Sequence, residues 1–123
     1  MEVNIKSAKE SFEALMDKEM DPPVKELEAV NLQRYGVTWN CLTEKRRDRP
    51  KVVMLRRMVS KVFRDLGFSY KRIAKTMKRD HGSIIYNVKV MDGMLDVYPE
   101  VQKEFKDYKK NVSKEISNKK RSE

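Results

Sequence analysis

The chain has 123 residues, with 28 Lys+Arg against 19 Asp+Glu, a single histidine, a single cysteine, 4 Gly and 4 Pro. That is room for one ordinary domain; one cysteine excludes an internal disulfide, and one Cys with one His cannot build a zinc site from the usual ligands. A formal charge of +9 draws the chain toward polyanions, nucleic acid or an anionic membrane surface, while low Gly and Pro with 39% hydrophobic residues predicts helices around a small core.

Residues 5–20 space Ile5, Ala8, Phe12, Leu15, Met16 and Met20 by three and four, which draws one apolar stripe on a helix. Such a helix either packs on its own domain or forms an arm for a homodimer or a protein partner, because "DPP" (21–23) separates it from the next helix. A second helix is predicted from Pro22 or Pro23, where proline suits the first turn, through Val24, Leu27, Val30 and Leu32 to Tyr35. Gly36 ends it as a residue able to take the left-handed conformation. "VTWNCL" (37–42) reads as a short helix or turn with apolar anchors, and Trp39 and Leu42 make Cys41 a small buried hydrophobe rather than a nucleophile. "TEKRRDRP" (43–50) is a basic loop.

From Lys51, the residues Val52, Leu55, Val59, Val62, Phe63 and Leu66 recur at helical spacing until Gly67. Ser69 is a good N-cap for a short helix with Ile73, Ala74 and Met77 inward. The turn "KRD" leads into another helix, with Ile84, Ile85, Val88, Met91 and Leu95 inward. "VYP" (97–99) breaks the chain, and a last helix runs from Pro99 through Val101, Phe105 and Tyr108 toward Ile116. "SNKKRSE" (117–123) has nothing to bury and is predicted to be a disordered basic tail. The expected fold is all-α, divided into an N-terminal amphipathic helix or arm (1–21), a helical domain (22–116) and the tail (117–123). No apolar run resembles a signal peptide or the ~20 residues of a membrane span, so a cytoplasmic protein with no membrane partner is expected.

The charge is concentrated. Residues 45–81 carry 14 basic and 3 acidic residues, against 5 and 9 in residues 1–44 and 9 and 7 in residues 82–123. The basic stretch abuts "DHGS" (80–83), which holds the only histidine. Two short helices joined by a tight turn, the second preceded by basic residues, are the outline of a helix-turn-helix, whose second helix meets base edges with its first residues. Asp80, His81, Gly82 and Ser83 would then project toward DNA: Asp accepts from cytosine, and Ser and His donate to or accept from base edges. Ordinary capping by Asp80 and Ser83, with His81 merely exposed, is the other reading of the same four residues. Lys71 and Arg72 in the first helix and Lys78 and Arg79 in the turn join the set expected to face the DNA backbone.

Taken together, "RYGVTWNCLTEKRRDR" (34–49), "RRMVSKVFRDLGFSYKRIAKTMK" (56–78) and "RDHGSII" (79–85) resemble the C-terminal DNA-binding domain of the bacterial replication initiator DnaA, a Trp-repressor-like helix-turn-helix. The order agrees, with an offset of a residue or so in the long helix and at the turn. The resemblance implies that residues 45–49, with Lys45, Arg46, Arg47 and Arg49, reach the minor groove. It implies that Arg56 or Arg57 binds backbone phosphate, that Asp80, His81 and Ser83 read bases, and that Tyr86 and Lys89 lie near phosphate. Gly82 stands where that family has threonine, so a methyl contact to thymine is lost. The proline and glutamine that flank the family's phosphate-binding arginine are also absent. The glycine-rich phosphate loop of the family's ATPase module is missing, since Gly36, Gly67, Gly82 and Gly93 are scattered singly.

The expectation is a sequence-specific duplex DNA-binding protein, nucleoid-associated, with an origin-binding or transcriptional regulatory role, no cofactor, no metal and no catalytic residue. A nonspecific architectural DNA binder and a protein-interaction module that keeps the fold are the alternatives.

Overall fold

A computed structural model describes residues 21–44 and 49–122, with residues 119–122 described by backbone alone. The predicted N-terminal helix over 5–20 and the loop residues Lys45, Arg46 and Arg47 lie outside the described residues. Among those described there are six helices and no strand: α1 (Val24–Tyr35), α2 (Trp39–Thr43), α3 (Pro50–Asp65), α4 (Tyr70–Met77), α5 (His81–Val97) and α6 (Pro99–Ser122). The all-α expectation is met.

The boundaries follow local chemistry. Gly36 ends α1 at φ 66°, where its N–H donates to Leu32 O at 3.0 Å and that of Val37 to Asn31 O at 3.5 Å, the paired closure favoured by a left-handed glycine. Pro50 sits in the first turn of α3, where its missing N–H costs nothing. Thr38, Ser69 and Asp80 cap α2, α4 and α5 with side-chain oxygens that accept from Cys41, Arg72 and Ser83 backbone N–H groups.

The centre of the fold is α3. Val52, Leu55, Val59, Val62 and Phe63 are all buried, and the helix packs against α2, α4 and α5. Trp39, Phe63 and Phe68 continue this core as an edge-to-face chain, with ring centroids 6.2 Å apart at each step. Ile73, Ala74 and Met77 from α4 and Ile84, Val88 and Met91 from α5 fill the other side. Helix α6 closes the domain by packing on α1 and α5, burying Phe105, Tyr108 and Val112.

Several expectations need correction. Leu32, expected inward, is 54% exposed, and Asn31 takes the buried position because its amide oxygen accepts from the buried Tyr108 hydroxyl at 2.5 Å. Leu66 is not core: it lies just past α3 as its cap and is 39% exposed. Cys41 is exposed, since Trp39 and Leu42 occupy the inner side of the short α2. Ile85 and Leu95 are only half-buried. The backbone of residues 117–122 continues α6 to Ser122, where the composition predicts a tail.

Polar contacts join α1 to α6. Glu104 accepts from Arg34 Nη2 at 2.7 Å and from the Tyr35 hydroxyl through the same oxygen. Burial pushes the Tyr35 phenol up to about 12, helped by Glu104. The bonds from Tyr35 and then Arg34 hold the Glu104 carboxyl below its ordinary value. A depressed carboxyl stabilises the fold above its unfolded pKa and loses that contribution as pH falls through the folded one. The Glu104 side chain is 43% exposed, so solvent screening limits the effect. Glu104→Gln should therefore cost about 0.5–1 kcal/mol at pH 7, and the difference from the parent should shrink as pH falls through the folded carboxyl's range, which urea titrations over an acid pH series would reveal.

Candidate nucleic-acid interface

Helices α4 and α5 are joined by Lys78, Arg79 and Asp80 alone. The turn closes with Lys78 at φ 56°, the one non-glycine with positive φ among the described residues, and with Arg79 N–H donating to Ala74 O at 3.0 Å. An L-residue in this conformation costs roughly 1 kcal/mol that glycine avoids. A lysine here therefore keeps an exposed charge at the turn against the local backbone preference.

Asp80 opens α5 as its cap. One carboxylate oxygen accepts from Ser83 N–H at 3.2 Å and the other from the Ser83 hydroxyl, so capping is real and engages both residues. His81 is exposed and stands edge-on to Tyr70, with ring centroids 6.1 Å apart and planes at 88°. Tyr70 is in turn covered by Arg64, whose Cζ lies 4.3 Å from the ring centroid. Tyr70 was not singled out in the sequence; its signal is that it and His81 are the first residues of successive helices. Gly82 and Lys89 are exposed, and Tyr86 is 61% exposed.

The arginines do something different from what the charge pattern suggests. Arg56 is buried: its Nε donates to Leu42 O at 2.8 Å and its Nη2 to Glu44 O at 3.5 Å. One of the two arginines expected at phosphate is thus bonded to the backbone that precedes residues 45–48. Arg79 Nη2 reaches the same Glu44 carbonyl at 2.5 Å. Arg72 pairs with Asp21 at 2.8 Å, an exposed contact that ties residues before α1 to α4. Arg57 is half-buried, with Nη1 3.9 Å from Met94 Sδ. Arg49, Lys71 and Lys78 are exposed.

Some of these side chains border an open concavity of about 380 Å³, lined by Arg56, Arg79, Asp80, Gly82, Ser83, Tyr86 and Asn87. It brings Arg56 and Arg79, far apart in the basic stretch, beside the first turns of α5. Arg49, Arg57, Lys71, Arg72, Lys78, His81 and Lys89 are not among its lining residues. Asn87 was missed in the sequence, although it lies one helical turn beyond Ser83 and shares its face. Among the described residues, no group of three or more His, Cys, Asp or Glu side chains could hold a metal ion, and no helix is long and apolar enough to cross a membrane.

The geometry defines a small all-helical domain in which a helix, a three-residue turn and a second helix present a basic face. No family model, curated protein or solved structure matches the chain.

Two substitutions separate structural cations from displayed ones. Arg56→Met leaves the buried Leu42 carbonyl without its donor and should cost about 2–3 kcal/mol in denaturant unfolding. Lys78→Gly relieves the positive φ and should stabilise by about 0.5–1 kcal/mol by the same measurement.

Proposed function

We propose that this protein binds duplex DNA sequence-specifically, with α5 as the recognition helix in the major groove and residues 45–49 reaching the backbone and minor groove, rather than acting as an enzyme. The observation that carries the reading is the outward side of α5. Gly82, Tyr86 and Lys89 are exposed on a helix whose opposite side, Ile84, Val88 and Met91, is buried; His81 is exposed as its first residue, and the displayed Lys71 and Lys78 lie on α4 and the turn beside it. A helix held by its inner face and surrounded by cations suits a groove between two phosphate strands.

In this reading the residues divide by role. His81 is the foremost base reader, while Asp80 and Ser83 contribute from their cap. Arg49, Lys71, Lys78 and Lys89 neutralise phosphate, joined by Lys45, Arg46 and Arg47, and Arg57 supplies a further phosphate contact from α3. Arg56 and Arg79 shape the concavity and hold the start of the loop. The role is that of a nucleoid-associated protein acting at an origin or a regulatory site, and no cofactor is required.

The test is selection of preferred sequences from a random duplex pool, followed by titration of preferred and random duplexes. Roughly five neutralised phosphates give a slope of about −4 to −5 in log affinity against log salt. Arg46→Ala with Arg47→Ala should flatten that slope by about one to two. His81→Ala should cost about 1–3 kcal/mol on the preferred duplex and almost nothing on random duplex. A parent slope near zero contradicts DNA binding; a His81→Ala protein with an unchanged preferred-to-random ratio removes His81 from the reading site.

A further inference from the structure

We propose that Tyr86 determines specificity by contacting the 5-methyl group of a thymine, across the opening that Gly82 leaves on α5; the inference rests on the DNA-binding reading above. The resemblance implies a place near phosphate for this tyrosine, but its position on the helix argues for bases. At about 100° per residue, Gly82 and Tyr86 lie roughly 160° and 200° around α5 from the buried Ile84. They form its outermost line, the part of a recognition helix that faces the groove floor, while residues on its flanks face the phosphate strands.

The side chain is also unoccupied by the fold. Tyr86 is 61% exposed, and its hydroxyl makes no hydrogen bond with any described residue. A helical side chain leans over the turn that precedes it, and Gly82 lies one turn before Tyr86 on the same line of the helix. At Gly82 an added Cβ would meet Asp80 Oδ2 at 3.4 Å as its one neighbour within 4 Å, so the Gly82 position itself is open and the Tyr86 ring does not fill it. Both residues line the same concavity. Within a concavity that also holds the charged Arg56, Arg79 and Asp80, the tyrosine ring is the apolar surface. Thymine alone among the four bases presents a methyl group in the major groove.

Removing that methyl from one base at a time provides the experiment. Each thymine of the preferred duplex is replaced in turn by uracil, and affinities are measured for the parent, Tyr86→Ala and Tyr86→Phe. One replacement should weaken the parent about fourfold, the value of one buried methyl. Tyr86→Phe should keep that sensitivity, and Tyr86→Ala should lose it while holding random duplex as tightly as the parent. Both variants should melt like the parent, because the ring is exposed. The inference fails alone if the parent selects a duplex but no uracil replacement matters, or if Tyr86→Ala retains the same sensitivity. It also fails if Tyr86→Ala weakens random duplex equally, which would make Tyr86 a phosphate contact. A parent with no preferred duplex sinks the DNA reading and this inference together.

Discussion

The outward face of α5 depends on the burial of its inner face against α3. Ile84 and Met91 share one core with Val52, Leu55, Val59, Val62 and Phe63 of α3, against which α5 packs, so α5 has little freedom to roll or slide. Close packing makes such a contact specific in angle, because a shifted helix would open voids on one side and clash on the other. Ion pairs reinforce it at the rim: Lys61 of α3 bonds Asp92 of α5 at 2.7 Å, and Asp65 receives both Lys61 at 3.1 Å and Lys109 of α6 at 3.0 Å. Such solvent-accessible pairs are worth little individually. The apolar contact sets the geometry, and the outer residues of α5 inherit it.

Net charge over residues 45–81 overstates how many cations are displayed, and the two basic residue types divide by chemistry. Most of the described arginines carry out internal work, although Arg49 is exposed. Arg56 and Arg79 converge on Glu44 O, Arg64 donates to Phe68 O at 3.1 Å while covering Tyr70, and Arg72 pairs with Asp21. A planar fork with five donors can satisfy carbonyls that end short helices, where no backbone N–H arrives. Lys71, Lys75, Lys78 and Lys89 remain exposed instead. A compact, strongly hydrated ammonium gains little from such a carbonyl and keeps its water. Among the described residues the exposed cations are therefore mainly lysines, on a frame that most of the arginines help to hold closed.

Periodicity made most of the fold legible in the sequence. The buried positions of α3, α4 and α5 follow the three-and-four spacing, and Gly36, Pro50 and Ser69 mark boundaries through backbone or capping chemistry that depends on one residue each. Two of the failures share a physical cause, the dependence of burial on partners distant in the chain. Asn31 is buried because Tyr108 supplies a donor from 77 positions away, which turns Leu32 outward. Arg56 is buried because two carbonyls at the end of α2 accept from it. Neither fact leaves a trace in local pattern. The face of Asp80, Ser83 and Asn87 was partly legible, but a concavity forms only when α3 brings Arg56 beside it.

Capping and base reading, which the sequence left as alternatives for Asp80 and Ser83, do not compete in energetic terms. A carboxylate oxygen has more than one acceptor direction, so a bond from Ser83 N–H or hydroxyl does not exhaust it. The cap also holds both side chains in single conformations before any ligand arrives. Ordering a flexible side chain at an interface costs about 0.5–1.5 kcal/mol, and a residue already held by its own helix avoids most of that. The edge-on contact of His81 with Tyr70 acts in the same direction, restricting a ring that would otherwise rotate freely in solvent. Local bonds at the start of α5 therefore argue for preorganisation of the proposed reading residues. Tyr86, outside the cap and without a hydroxyl partner among the described residues, would bear a larger ordering cost on binding. Its contribution must come from the apolar area that its ring removes from water, which is the term least weakened by salt.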